Sequence, residues 1–314
     1  MASQGPRREL LCPLKPARVR AILTAAAGGE SISRLIGLEG IRRTESGFAM
    51  AAVFEKLATY PRRKALAIAN RSLADSDGCV RSWAVTTLRD FNYRFKEKML
   101  ASFGRDSDAL VREEIVTVWA KRGGAKAINR LLGFLKDSDK FVRNAAAEAF
   151  CGLPTSRAIV PLSRLLKDRW DVVRCSAAEA LGETGSRKAI PYLRKALRDP
   201  SPMVRSYVMT SLGKLGDRRS LSKLENINRN GIPSAKLSSA VALYLLGDRE
   251  RLNEVASYLK SSDSILRCVA GNEIVWMVHR KDIPFARLLL KRAIRSTRDP
   301  GSRRNFRDSL RAIT

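Results

Sequence analysis

The stretch FVRNAAAEAF, Phe141 to Phe150, returns as VVRCSAAEAL, Val172 to Leu181, 31 residues later. A likeness at a fixed distance signals an internal repeat, and a repeat settles the architecture before any single residue is weighed. Steps of 31 from Asp75 land on Asp106, Asp137, Asp168, Asp199, Asn230 and Ser261, with no insertion between them. Counting each of these as zero, offset 5 holds Val80, Val111, Val142, Val173, Val204, Ala235 and Leu266. Offset 6 holds Arg81, Arg112, Arg143, Arg174, Arg205, Lys236 and Arg267. Offset 13 holds Leu88, Trp119, Phe150, Leu181, Leu212, Leu243 and Ile274. One phase therefore runs through residues 75–291.

Each unit reads as two helices. Apolar residues at offsets 5, 9, 12 and 13 (Val173, Ala177, Ala180 and Leu181) have helical spacing, as do those at 22, 25, 28 and 29 (Ile190, Leu193, Ala196 and Leu197). Breakers such as GETGS, Gly182 to Ser186, separate the halves, and turns such as DSD and DPSP separate the units. No window alternates as a strand does. A hairpin this short cannot bury both apolar faces alone, so neighbours must stack, and the predicted fold is all-α, a right-handed α-solenoid. Residues 1–16 read as a basic arm and residues 17–314 as a single solenoid, with regular units at 75–291 and degenerate caps at 17–74 and 292–314.

The charge is lopsided: 59 Lys and Arg against 31 Asp and Glu give the 314-residue chain a formal +28. Such a surface attracts polyanions, whether nucleic acid, acidic proteins or anionic membranes. Hydrophobic residues make up 45%, too many for a disordered chain, and no apolar run is long enough to span a membrane. The N-terminal MASQGPRRELLCPLKPARVR lacks an apolar signal core, and the five cysteines (Cys12, Cys79, Cys151, Cys175 and Cys268) are odd in number and scattered. Free thiols in a reducing, cytoplasmic compartment fit that usage.

The turn Asp, the VR that follows it, the AAEAL run and AIPYL together resemble HEAT-like repeats of the phycobilisome-lyase type, most strongly over Asp75 to Arg229. The resemblance implies a fold and leaves function open, because this repeat serves many roles. It implies a ladder between neighbouring units, built from Asp75, Arg81, Asp106, Arg112, Asp137, Arg143, Asp168, Arg174, Asp199 and Arg205. An arginine fork suits carboxylates on two turns, although it equally suits phosphate. The units beginning at Asn230 and Ser261 lack the acid, so the ladder is expected to weaken there.

In such repeats the helix after the Asp turn lines the inner, concave face. Between offsets 2 and 14, apart from the ladder positions, the basic residues are Arg89 and Lys140. Offsets 7 and 11 supply the expected contacts Asn144, Glu148, Cys175, Glu179, Ser206 and Thr210, with Trp170 as the expected exposed aromatic. The face reads as small, neutral and partly acidic. Positive charge concentrates instead on the edges and ends. Offset 30 is always basic (Arg105 through Lys291), as a helix C-terminus favours. Arg187, Lys188, Arg218, Arg219, Arg280 and Lys281 form a second row, and Arg298, Arg303, Arg304 and Arg307 crowd the last segment. Arg7, Arg8, Lys15, Arg18 and Arg20 make the N-terminal end similar. These residues are candidates for polyanion binding or for ordinary solvated turns.

No catalytic, cofactor-binding or metal-binding constellation stands out. The one histidine, His279, ends an apolar helix, and no phosphate loop, HExxH or GxSxG is present. HEAT-like iron hydroxylases carry His-Glu pairs that this chain lacks. A glycosylase-like DNA-binding enzyme or a bilin lyase-like protein remains the alternative from another class. The expected function is a non-enzymatic scaffold with no cofactor. It would take a protein partner on the inner face and an acidic partner or nucleic acid on its basic edges and termini.

Overall fold

The structure, a computed structural model, describes residues 14–38 and 46–313, and among them no strand is present. Contacts divide the chain into two compact units, Met1–Ala146 and Ala147–Thr314. The first holds α1 (Pro16–Gly28), α2 (Ile32–Leu38), α3 (Ser46–Leu57), α4 (Arg62–Ser72), α5 (Gly78–Asp90), α6 (Glu97–Phe103), α7 (Ala109–Arg122) and α8 (Gly124–Phe134). The boundary falls within α9 (Lys140–Gly152). The second holds α10 (Ile159–Leu165), α11 (Asp171–Glu183), α12 (Ile190–Ala196), α13 (Pro202–Lys214), α14 (Leu221–Asn230), α15 (Pro233–Leu245), α16 (Arg251–Ser257), α17 (Ser264–Met277), α18 (Ile283–Ser296) and α19 (Pro300–Ala312).

Helices pack in sequence order, the arrangement of an α-solenoid. In the first unit α1, α3, α5 and α7 stack in turn, with α4 against α5 and with α6 and α8 against α7. In the second, α11, α13, α15, α17 and α19 stack in turn, while α10, α12, α14, α16 and α18 lie against them as a second layer. The core lies between the layers: Val173, Ala177, Ala180 and Leu181 of α11 are all fully buried, as are Leu162 and Leu193 opposite. Small residues set the spacing within the first-helix layer. A methyl group on Gly213 would lie 2.9 Å from the Cα and carbonyl oxygen of Ala242, so α13 and α15 touch backbone to backbone there.

The two acids of a DSD turn do different work. The second caps the helix: Asp77, Asp108, Asp139 and Asp263 each accept the amide two residues on, in the dipole's favoured place for an anion. The first closes the turn on itself, with Asp106 accepting the amide of Asp108 and Asp137 that of Asp139. Its free side faces the preceding unit. Arg81 donates Nε and Nη2 to Asp106 at 3.0 and 2.6 Å, Arg112 to Asp137 at 2.9 and 2.8 Å, and Arg174 to Asp199 at 2.8 and 2.9 Å. The remaining Nη1 donates to the main-chain carbonyl of the arginine's own turn: Asp75, Asp106, Asp137, Asp168 and Asp199 for Arg81, Arg112, Arg143, Arg174 and Arg205. One fork thus ties its own turn to a carboxylate 25 residues later. Burial alone would raise the Asp137 carboxyl, but the Arg112 hydrogen bonds and the Asp139 amide outweigh it and hold the group below the usual range.

The series ends differently from the sequence expectation. Arg267, expected to lack an acid, donates to Asp299 at 3.0 Å and to Ser302 Oγ at 3.0 Å. The partner lies 32 residues on instead of 25, because α18 has 14 residues where α12 has 7. The added turns carry the chain past the expected turn and start α19 where Arg267 can reach it. At the other end Asp75 accepts Ser31 Oγ at 2.8 Å and Ser33 Oγ at 2.5 Å, in place of an arginine.

Candidate interaction surfaces

On the first-helix layer exposed residues gather at offsets 4, 8, 11 and 15, one face of a helix, although Ser176 at offset 8 and Val241 at offset 11 are buried. Offset 4 is apolar and exposed in unit after unit: Leu110 and Phe141 in the first unit, Val172, Met203 and Ile265 in the second. Tyr207 and Val269 at offset 8 and Trp276 at offset 15 extend it. The periodicity is visible in the sequence, but offset 4 lies outside the core pattern, which marks only the buried positions. Trp276 is 79% exposed against 38% for Trp170, because it sits two residues, about 200° of helix, from the buried Ile274. Arg169 lies over the Trp170 ring, 5.4 Å from its centre.

At offset 7 one expected contact fails. Cys175 is buried, not presented, because α13 packs beside α11 on that flank, and burial pushes its thiol up to about 12. Asn144 and Ser206, also at offset 7, are half-buried, and Ser206 Oγ donates to the carbonyl of Pro202. Offset 11 is open: Glu148 is exposed, and Glu179 and Thr210 are half-buried. Burial raises the Glu179 carboxyl, Lys214 pulls it back, and Glu183 and Glu148 push it further up. Burial likewise raises Glu273 on α17. The second unit therefore presents apolar groups beside half-buried carboxylates, within a chain that has cations to spare.

The second layer is the basic one. Arg187, Lys188, Arg218, Arg219, Arg280 and Lys281 stand exposed on the 3-10 turns that lead into α12, α14 and α18. Arg298, Arg304 and Arg307 are exposed at the last hairpin, whereas Arg303 is half-buried and donates to the Thr297 carbonyl at 2.7 Å. Arg7 and Arg8 lie outside the described residues. Between α12 and the start of α14 a cavity of about 510 Å³ is lined by Arg194, Lys195, Leu197, Arg198, Arg219, Ser220 and Lys223. Arg194 closes its base, donating Nε at 2.8 Å and Nη2 to the buried Asp217, which also accepts Ser220 Oγ at 2.6 Å.

His279 stacks on the Tyr244 ring at 5.5 Å, and the Tyr244 hydroxyl donates to Asp282 and accepts the His279 amide. Among the described residues no group of three or more His, Cys, Asp or Glu could hold a metal ion, and no helix is long and apolar enough to cross a membrane.

HEAT repeats are matched at residues 65–151, 97–182 and 159–243, which together span more than half of the chain. No curated protein sequence matches it. Among solved structures, the complex of CpcE and CpcF of phycocyanin lyase from Nostoc sp. PCC7120 superposes with a TM-score of 0.54 at 17% identity, covering 70% of this chain and 96% of that one. A chain from the structure in which Kap95p binding induces the switch loops of RanGDP to adopt the GTP-bound conformation gives 0.50 at 11% identity, covering 99% of this chain and 50% of that one. At these identities the likeness concerns fold alone. The stacked hairpins and the repeat match together make the chain a member of the HEAT-repeat family.

Proposed function

We propose that this HEAT-repeat chain is a binding scaffold with no chemistry of its own, acting in the cytoplasm. A protein segment lies along the first-helix layer of the second unit, and the basic second layer and termini meet an acidic partner or nucleic acid. The observation that carries the reading is the exposed apolar row at offset 4. A monomer with no partner gains nothing by repeating Val172, Met203 and Ile265 in solvent on the second unit, while a docked segment would cover them. Glu179 and Glu273 beside that row favour a segment carrying Lys or Arg among its apolar side chains.

Site-specific cross-linking tests this. A photo-reactive residue at Met203 should capture one protein that the same residue at Lys260, on the second layer, does not capture. Met203→Glu with Ile265→Glu should lower the yield at least ten-fold while leaving the unfolding midpoint in place. Equal capture at both positions, or capture unaffected by the two glutamates, would sink the proposal.

A further inference from the structure

The cavity between α12 and α14 is an unusual concentration of like charge. Lys195, Arg198, Arg219 and Lys223 surround about 510 Å³ of open space and are all exposed. The acid at its floor, Asp217, is buried and already held by Arg194 and Ser220, and Asp199, next to Arg198, is taken by Arg174. Four cations around one hollow repel each other, and only an anion with several charges relieves all of them at once. Helix-end electrostatics account for Lys195 and Arg198 at the C-terminal end of α12, but not for Arg219 and Lys223, which stand where α14 begins.

Neighbouring residues narrow the kind of anion. Tyr192 is exposed on α12, one helical turn before Lys195 and on the same face. Lys223 occupies the position on α14 that corresponds to Tyr192 on α12, 31 residues later. An aromatic ring beside a row of cations serves a strand whose bases stack while its backbone is neutralised, whereas a run of carboxylates would use only its hydroxyl and leave the ring face empty. The hollow has room for one or two phosphate groups with their sugars.

We propose that the α12–α14 cleft grips the phosphodiester backbone of single-stranded nucleic acid, without sequence preference, with Tyr192 as a stacking platform at its mouth. The proposal rests on the basic second layer being a polyanion-binding surface. Arg198 and Arg219 present forks to phosphate oxygens, Lys195 and Lys223 act as point charges, and Arg194 holds the floor through Asp217.

The test uses the full-length protein and a fluorescent oligouridine of about 12 nucleotides, titrated from about 50 to 300 mM salt. Replacing Lys195, Arg198, Arg219 and Lys223 together by Gln should lower affinity more than ten-fold and flatten the log–log salt slope by about 2.8, or roughly 0.7 for each phosphate no longer neutralised. Removing the same charge at the end of α18 and just after it, by Lys291→Gln, Arg292→Gln, Arg295→Gln and Arg298→Gln, should change the slope by less than half as much. Tyr192→Ala should weaken binding about five-fold or more with the slope unchanged. Should the quadruple variant fold poorly, Lys195→Gln with Lys223→Gln is expected to give half the effect. Absence of salt-dependent binding in the wild type overturns the basic-layer reading altogether. Equal effects of the cleft and α18 variants overturn the cleft alone. Displacement by polyglutamate as readily as by unlabelled oligouridine, with Tyr192→Ala silent, assigns the cleft to an acidic protein and overturns the nucleic-acid proposal.

Discussion

Replacing Arg112 by Ala removes one rung and leaves its neighbours in place. The guanidinium gives two hydrogen bonds to Asp137, at 2.9 and 2.8 Å, and two to the carbonyls of Asp106 and Ser107. Its side chain is 12% exposed and that of Asp137 is 11% exposed, so water screens the pair weakly. Opposite charges about 4 Å apart attract by about 4 kcal/mol at an effective dielectric constant near 20. Removing one partner also strands the other, which usually costs about 3–5 kcal/mol for a buried pair. The Asp139 amide at 2.9 Å stays with Asp137 and lessens the penalty. A loss of about 3 kcal/mol is therefore expected.

The pH dependence follows from the depressed Asp137 pKa, where burial opposes and Arg112 with the Asp139 amide prevails. A carboxylate with a depressed folded-state pKa contributes fully above its unfolded value and loses its contribution as pH falls through the folded value. The gap between wild type and variant should stay constant from neutral pH to about pH 5, then close below about pH 4. Urea unfolding measures the gap. Amide exchange across α7 and α9 shows whether the opening is local, as a repeat array allows. A loss under about 1 kcal/mol would place the rung among ordinary surface pairs and refute the reasoning. So would a gap unchanged at pH 3, or a stable variant whose nucleic-acid salt slope is reduced instead.

Two further outcomes test packing and charge on the first-helix layer. Gly213→Ala should destabilise by about 1–3 kcal/mol in thermal melts, since its methyl meets the Ala242 backbone. Gly133→Ala on α8, where nothing lies within 4 Å, should stabilise by up to about 1 kcal/mol, and equal effects at the two sites would discount the close approach. Glu179→Gln should raise stability at neutral pH, because burial and then the nearby Glu183 and Glu148, against Lys214, raise the Glu179 pKa. A raised folded-state pKa means the native form binds more protons between the unfolded and folded values, so wild-type stability rises as pH falls through that window. The advantage of the Gln variant should shrink toward about pH 4.5 in a pH series of urea melts, and a variant no more stable than wild type at neutral pH refutes it.

The hairpin architecture was legible because its causes are local. Apolar spacing along one helix, an Asp that caps it and a breaker after it need no knowledge of what lies beyond the unit. The basic edges were legible for the same reason, as a repeated position carries its charge wherever the chain goes. The site was less legible. Offset 7 reads as outward when a helix is drawn alone, yet Cys175 is buried, because α13 takes that flank. Offset 4 repeats as Leu110, Phe141, Val172, Met203 and Ile265, yet nothing in one helix says that its first turn stays uncovered.

By itself, then, the sequence determined that this chain is a series of helical hairpins, the first five regular ones opening on an acidic turn with an arginine six residues later, with surplus positive charge away from the first helices. Those properties depend on dihedral preference, helical periodicity and composition, which act within a few residues. Tertiary structure alone decided that each fork, where its partner is seen, takes the carboxylate one unit onward, that Arg267 finds Asp299 past a lengthened α18, and that four cations of α12 and α14 meet around one hollow. These depend on distances between residues some 25 to 32 positions apart, which are set when one hairpin packs on the next.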